Sequence, residues 1–163
     1  MRNENLDILP SRFNVRVYGL AVFEQEILTV CEQMGTFSFR KFPGGGLQFG
    51  EGLVDALKRE FIEESGISVE PKLLFYVNDF LQISRFNTSD QLLAVYYTIQ
   101  MNPELKRQLD IVVQSGVRKV GTNHTLYFEW LKLSDELADK MDFPIDKVVC
   151  RKLEKLIQLE KWD

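Results

Sequence analysis

Four glutamates and one arginine stand at fixed spacing in the middle of the chain, directly after a run of glycines. The segment reads Gly45, five residues, Glu51, seven residues, Arg59-Glu60-Phe61, one residue, Glu63-Glu64, one residue, Gly66-Ile67. No histidine or cysteine lies among these acids. Carboxylate oxygens without nitrogen or sulfur partners are the ligands that a hard divalent ion prefers, Mg2+ first and Mn2+ second. The segment therefore predicts a divalent metal site.

The acids are expected on a helix over Leu53–Ser65, which Gly66 ends as a left-handed cap. On a helical wheel at about 100° per residue, one apolar face contains Leu53, Val54, Leu57 and Phe61. The opposite face contains Asp55, Lys58 and Ile62. Glu60 and Glu64 fall at the edge of the apolar face, with Glu63 beside them. Like charges at this spacing repel, and the end of the helix dipole disfavours them further. A sequence that keeps three carboxylates there is expected to hold cations.

The segment from Gly45 to Ile67 resembles the Nudix box, the signature of the Nudix hydrolase family, whose members include MutT-like enzymes. Seven positions of fixed identity match at fixed spacing, which chance would produce at one starting point in about 10^8. The one departure is Phe61, where the family usually has an aliphatic residue, and it concerns packing more than chemistry. A plain acidic surface helix is the alternative, and the spacing disfavours it.

The resemblance implies a Mg2+-dependent pyrophosphohydrolase, with Mn2+ as the second choice of metal. The expected substrate is a nucleoside diphosphate linked to another group, with nucleotide sugars and nucleoside triphosphates foremost. The expected principal metal ligands are Glu60 and Glu64. Glu63 is expected to bind a second ion or its water shell, with Glu51 in support and the backbone carbonyl of Gly44 as a further ligand. Arg59 is expected to pair with a box carboxylate, foremost Glu51, and to orient the ligands. A nucleotide-sensing module without turnover is the alternative from another class.

The general base stays open at this point. His124, the only histidine, is expected in a loop six residues before Trp130, which resembles a tryptophan of the family. A neutral imidazole accepts a proton from water near pH 7. Together with Glu63, Glu60 and Arg59 it completes the expected catalytic set. A surface histidine without a role is an equal alternative, and Asp110, Glu129 or a box glutamate are further candidates.

Substrate contacts are expected from the glycine run and from nearby aromatic and basic residues. Three consecutive glycines let the backbone approach a ligand closely. The expected substrate-binding residues are Gly45, Gly46, Arg40, Phe39, Phe80 and Arg85. Gln82 stands about sixteen residues after the last box glycine, so the marks of the ADP-ribose and diadenosine-polyphosphate subgroups are absent from the sequence. Substrate identity stays open.

Composition limits the class of protein. At 163 residues the chain fits one domain, 1–163, and its two cysteines, Cys31 and Cys150, are expected to be reduced core residues. A net charge of −4 without a basic run disfavours a nucleic-acid partner. Neither a targeting signal in Met1–Leu9 nor an apolar run of membrane-spanning length is seen, so a cytoplasmic protein is expected.

The resemblance implies an α+β fold, the three-layer α/β/α sandwich with a mixed β-sheet. Asn14–Phe23 and Ile27–Cys31 read as a hairpin around Glu24-Gln25-Glu26. Further strands are expected at Phe37–Phe42, Lys72–Asp79, Gln91–Gln100 and Thr125–Leu133, and further helices at Glu104–Leu109 and Ile145–Leu159, with a short helix or turn from Ser134 and loop structure around Gly116 and Gly121. Homodimers are common in this family, so the resemblance implies a homodimer, with Ile62 on the outer helix face as the candidate contact.

Overall fold

The computed structural model describes residues 9–159. The strands are β1 (Arg12–Leu20), β2 (Val22–Phe23), β3 (Glu26–Met34), β4 (Phe37–Lys41), β5 (Gly44–Gly46), β6 (Pro71–Val77), β7 (Asp90–Ile99), β8 (Arg118–Gly121) and β9 (His124–Lys132). The helices are α1 (Leu53–Ser65), α2 (Pro103–Gln114), α3 (Leu137–Lys140) and α4 (Pro144–Gln158).

The expected absence of a targeting signal in Met1–Leu9 concerns residues that, apart from Leu9, lie outside the described part. No helix among residues 9–159 is long and apolar enough to cross a membrane.

The strands form two sheets. The first has the order β5-β1-β7-β6, in which β1 and β7 are parallel and the other pairs are antiparallel. The second has the order β2-β3-β9-β8, with β4 also paired to β3, and all its pairs are antiparallel. The predicted mixed sheet is therefore confirmed in the first sheet, and the remaining strands form a second.

Helices cover both sides of the strands. Successive residues of a strand point to opposite faces, so Val17 and Leu28 pack towards α1 and α2, whereas Tyr18 and Ile27 pack towards α3 and α4. Each side has its own buried apolar cluster. This arrangement confirms the predicted α+β sandwich.

The box helix forms over the residues that the sequence predicts. Gly66 takes a left-handed φ of 77° and donates its N–H to the carbonyl of Ile62 at 2.9 Å, which ends α1. Leu57 and Phe61 are fully buried, but Val54, expected on the apolar face, is 38% exposed. A helical wheel predicts which face of the helix a side chain is on. It does not predict whether a neighbouring element covers that part of the face, and here none covers Val54 completely.

The predicted hairpin is wrong in its first strand. The hairpin partner of β3 is the two-residue strand β2, with Val22 opposite Ile27, whereas β1 pairs with β5 and β7 in the other sheet. The chain changes sheet at Ala21, and alternation of apolar residues continues through that change. The turn itself is correct, with Glu24 and Gln25 in left-handed conformations.

The region after β7 also differs from the expectation. Helix α2 continues to Gln114, beyond the predicted Leu109, because Val112 is buried against the core and extends the packed face. The expected loop contains β8, which pairs with β9. Since β9 begins at His124, that histidine lies in a strand and not in a loop. The two cysteines are buried and free, as predicted.

Candidate active site

A cavity of about 750 Å3 is lined by residues of α1, of both sheets and of the short strand β5 (Gly44–Gly46), which we call the glycine turn. The box carboxylates that line it are Glu60, Glu63 and Glu64. The glycine turn lines it through Gly44, Gly45 and Gly46. Three of the four predicted acids are therefore brought together with the predicted glycines, whereas Glu51 and Arg59 do not line the cavity.

The glycine turn packs so closely that a side chain at either of two positions would collide with a neighbouring group. Gly44 has a φ of 140°, and a Cβ there would lie 2.1 Å from the carbonyl oxygen of Val17. A Cβ on Gly45 would lie 2.5 Å from the carboxylate of Glu60. The N–H of Gly44 donates to Glu64 Oε2 at 3.1 Å. The turn is thus in direct contact with two of the box carboxylates.

Arg59 connects the other box residues. Its Nε and one terminal nitrogen bind both carboxylate oxygens of Glu51, at 2.9 and 2.7 Å, and the same terminal nitrogen donates to the carbonyl of Gly46 at 2.9 Å. The second terminal nitrogen lies 3.0 Å from Glu60 and 3.2 Å from Glu63. Hydrogen bonds from Arg59 hold the pKa of Glu51 below its usual value. The predicted pairing of Arg59 with Glu51 is present in the structure.

A buried ion cluster lies behind these residues, and sequence reasoning missed it. The amine Nζ of Lys41 donates to Gly44 O at 2.6 Å, to Glu64 Oε1 at 2.7 Å and to Glu32 Oε1 at 2.8 Å. Lys41 is 4% exposed and Glu64 is 8% exposed. Burial lowers the pKa of Lys41, but the carboxylates of Glu64 and Glu32 outweigh it and raise that pKa overall. The sequence offered one indication that Lys41 belongs to the site. Lys41 is two residues after Phe39, which was expected at the substrate, so both side chains point to the same side of β4.

His124 also lines the cavity, next to Glu32 of the buried ion cluster. Its Nε2 is 3.1 Å from Glu32 Oε2, and both residues line the cavity. Two other candidates for the general base lie elsewhere: Asp110 pairs with Lys106, and Glu129 pairs with Arg40, and none of these four lines the cavity. The structure therefore favours His124 or a box glutamate over Asp110 and Glu129.

Part of the cavity lining, which we call the aromatic end, is formed by Phe39, Phe86 and Phe143. The ring centroids of Phe39 and Phe86 are 5.3 Å apart, as are those of Phe39 and Phe143. Arg85 lies over the ring of Phe143 at 5.4 Å. Phe39 and Arg85 were expected at the substrate, whereas Phe143, just before α4, was missed because no local motif marks it. A planar group that entered this end would find ring faces and a guanidinium.

Two expected substrate-binding residues do not line the cavity. Arg40 alternates with Phe39 along β4 and points away, so its guanidinium binds Glu129 at 2.6 Å and the carbonyl of Lys140 at 3.1 Å. Phe80 follows β6, is 38% exposed and also lies outside the lining. Both expectations are corrected on these grounds.

The lining of the cavity also includes a buried acid that sequence reasoning missed. Asp146 is 2% exposed, and its Oδ1 accepts a hydrogen bond of 2.6 Å from the hydroxyl of Tyr96. Burial raises the pKa of Asp146 to about 7. The sequence offered one indication that Asp146 is buried. Asp146 is three and four residues before the buried Val149 and Cys150, so it shares their apolar face of α4.

The donor atoms fit a hard divalent ion in kind, since they are carboxylate and carbonyl oxygens. Glu60 and Glu63 face the cavity beside the glycine turn. Among residues 9–159, however, no three acids, histidines or cysteines stand close enough to form a ready cage. One terminal nitrogen of Arg59 lies 3.0 and 3.2 Å from Glu60 and Glu63, and the side chains of Arg59 and Glu63 are 23% and 55% exposed. Lys41, whose side chain is 5% exposed, lies closer to its partners, 2.6 Å from Gly44 O and 2.7 Å from Glu64 Oε1. Glu60 and Glu63 are therefore the more accessible pair for the expected metal, in contrast to the expectation that Glu64 is a principal ligand.

Comparison with known proteins identifies the family and the fold. A model of the NUDIX domain matches residues 10–151. Nudix hydrolase 17, mitochondrial, from Arabidopsis thaliana is 30% identical over 156 residues, covering 90% of this chain and 79% of that protein. A NUDIX hydrolase from Nitrosomonas europaea has a similar fold, with a TM-score of 0.58, 22% identity and coverage of 86% and 87% of the two chains. A MutT protein from Methanosarcina mazei Go1 gives a TM-score of 0.60 at 19% identity, covering 95% and 99%.

These matches define the class of protein as a hydrolase that acts on pyrophosphate bonds. The chain belongs to the Nudix family, as the box residues predict. Members of this family generally use divalent metal ions.

Proposed function

We propose that this protein is a Mg2+-dependent pyrophosphohydrolase, with Mn2+ as a substitute, that cleaves a nucleoside diphosphate linked to another group. Nucleotide sugars and nucleoside triphosphates are the foremost substrates. One observation carries the proposal: the carboxylates of Glu60 and Glu63 line the same cavity as the aromatic end formed by Phe39, Phe86 and Phe143. A nucleotide has the matching polarity, with charged phosphates at one end and a planar base at the other.

Most of the box residues have an assigned task in this proposal. Glu60 and Glu63 hold the divalent ion, and Glu51 supports them through Arg59. A bound Mg2+ neutralises phosphate charge and lowers the pKa of a nearby water. The turn at Gly45 and Gly46 lets the diphosphate approach the backbone closely. The expected reaction is in-line displacement by water at one phosphorus.

His124 is the proposed general base. When Nε2 donates its hydrogen to Glu32 at 3.1 Å, Nδ1 is left as the proton acceptor of the neutral ring. Glu32 thereby selects the tautomer and fixes the ring, as a carboxylate does in other acid–base pairs. A box glutamate is the remaining candidate for this role.

Several wider expectations accompany the proposal. The substrate is a small nucleotide-type molecule, residues 1–163 form a single domain, and the enzyme works in the cytoplasm. The plant relative carries the word mitochondrial in its name, so location needs a direct measurement. A homodimer stays a prediction, and Ile62, which is 52% exposed on α1, is the residue to test in a contact.

A panel of substrates tests the proposed function. Phosphate release is measured, after coupled phosphatase treatment where needed, for nucleoside triphosphates, nucleotide sugars, ADP-ribose and dinucleotides, each with Mg2+, with Mn2+ and with a chelator. We expect turnover of at least one nucleotide sugar or triphosphate that the chelator abolishes. Tight nucleotide binding without turnover across the panel would instead indicate a sensing module and contradict the proposal.

A further inference from the structure

The amine of Lys41 makes three contacts within the lining of the cavity. We call this group the Lys41 corner, and it consists of Gly44 O, Glu64 Oε1 and Glu32 Oε1, at 2.6, 2.7 and 2.8 Å from Nζ. An ammonium group has three N–H donors and no acceptor. All three donors of Lys41 are therefore used, and the side chain has no donor left for a phosphate oxygen.

The corner uses oxygen atoms that the family resemblance assigns to a metal. Gly44 O and Glu64 were both expected as metal ligands, and each now lies within 2.7 Å of Nζ. A divalent ion at that point would have to displace the ammonium from both. The side chain of Lys41 is 5% exposed and its backbone pairs with Val30 within the second sheet, so its ammonium could leave these two oxygen atoms only towards the cavity that it lines.

The charges in the corner also favour the ammonium. A buried lysine is costly unless it is paired, and here two buried carboxylates, Glu64 and Glu32, pair with it. Removing the amine would leave both carboxylates without a cation in a buried space. The positive charge of Lys41 thus performs one task of a metal ion, which is to hold Glu64 and Gly44 together behind the glycine turn.

We propose that Lys41 is a built-in cation that replaces a divalent ion at the Lys41 corner, so that divalent ions bind only on the side of Glu60 and Glu63. This inference rests on the proposed function, since it concerns the metal content of the same site. Lys41 acts as a positioning residue for Glu64 and the glycine turn. The enzyme accordingly binds fewer divalent ions than its box carboxylates would allow.

The number of bound ions tests the inference independently of activity. Mn2+ is titrated into the full-length protein without substrate, and free Mn2+ is measured by electron paramagnetic resonance. The variant Lys41→Met removes the charge and keeps the length of the side chain, and Lys58→Met, which alters an exposed ion pair with Glu70, is the matched control. We expect Lys41→Met to bind one more Mn2+ per chain than the wild type and the control. Adding Glu64→Gln to Lys41→Met is expected to abolish the extra ion.

The position of the ion in wild-type crystals gives a second readout that does not depend on a variant. Anomalous diffraction from crystals soaked in Mn2+ is expected to show density beside Glu60 and Glu63 and none at the Lys41 corner. Density bridging Gly44 O and Glu64 in the wild type would overturn the inference, as would a folded Lys41→Met protein that gains no ion. If Lys41→Met does not fold without Mn2+, the wild-type map decides. Absence of Mn2+ beside Glu60 and Glu63 together with absence of turnover would instead refute the proposed function.

Discussion

Arg59 and Glu51 form a forked ion pair, with Nε 2.9 Å from Oε2 and a terminal nitrogen 2.7 Å from Oε1. The pair joins the middle of α1 to the loop that precedes it. The same guanidinium also reaches Glu60 and Glu63, so the orientation of the proposed metal ligands depends on the shape of one side chain. The planar fork of arginine allows this, and the compact ammonium of lysine does not.

Arg59→Lys is therefore expected to reduce kcat by about tenfold to a hundredfold, because residues that orient metal ligands typically contribute that much. The concentration of Mg2+ needed for half-maximal activity is expected to rise as well. Both quantities are measured with the best substrate of the panel. Arg107→Lys is the matched control, since Arg107 forms a similar forked pair with Glu104 on the exposed face of α2. Equal activity of the two variants would count against the role of Arg59.

Gly45→Ala is expected to move the carboxylate of Glu60 without unfolding the protein. The new Cβ would meet Glu60 at 2.5 Å, and the atoms it meets are the end of a flexible side chain. We expect kcat to fall by about tenfold or more with a small change in melting temperature. Gly46→Ala adds the same methyl group with its nearest neighbour 3.9 Å away, so it should lose less activity. A larger loss in Gly46→Ala would contradict this explanation.

Phe86→Ala is expected to weaken substrate binding. Stacking of a base on an aromatic ring contributes about 1 to 3 kcal/mol, so KM should rise by about tenfold while kcat changes little. Steady-state kinetics with a nucleotide substrate measures both constants. Phe13→Ala is the control, because Phe13 is 73% exposed and does not line the cavity. If Phe86→Ala lowered kcat and left KM unchanged, the aromatic end would not be the base site.

Asp146→Asn is expected to stabilise the protein at high pH. Asp146 is buried and has a folded-state pKa of about 7, above the value of about 3.9 in an unfolded chain. The folded protein therefore binds the extra proton between these values, and the stability contributed by this group is full below about pH 4 and is lost as pH rises to 7. Asparagine stays neutral and still accepts the hydrogen bond of Tyr96.

Thermal melts at a series of pH values measure whether Asp146→Asn raises or lowers the stability of the folded protein. The variant should match the wild type near pH 4 and exceed its stability near pH 8 by up to about 4 kcal/mol, the equivalent of the raised pKa. Asp139→Asn, a change at an exposed residue of α3, is expected to alter the melting temperature little at either pH. Destabilisation of Asp146→Asn at pH 8 would show that the charged form is the one the fold requires.

The box could be predicted from the sequence because its residues are close to one another along the chain. The bounds of α1, the cap at Gly66 and the pairing of Arg59 with Glu51 depend on helical period and short spacing. The change of sheet at Ala21 was not readable, because a strand has the same alternation of apolar residues in either sheet. Helix α2 was underestimated for a related reason, since burial of Val112 depends on elements far away in the sequence.

The site beyond the box depended on tertiary contacts. Lys41 and Glu32 lie on two strands, and nothing in the spacing of either strand indicates that Glu64 completes the group. Asp146 gave a weak signal as a charge on the apolar face of α4. Arg40 was a wrong expectation for a simple geometric reason, because the residue next to an inward-pointing Phe39 points outward.

The central claim is that the carboxylates of Glu60 and Glu63 carry metal-dependent hydrolysis, and kcat of Glu60→Gln and Glu63→Gln tests it most directly. Each variant keeps the size of the side chain and removes its charge, and Glu70→Gln, at a residue that is exposed and ion-paired on the same protein, is the control. We predict that kcat with Mg2+ falls by about a hundredfold or more in both variants, while melting temperatures stay similar or rise because like charges are removed. Wild-type kcat in both variants would contradict the claim.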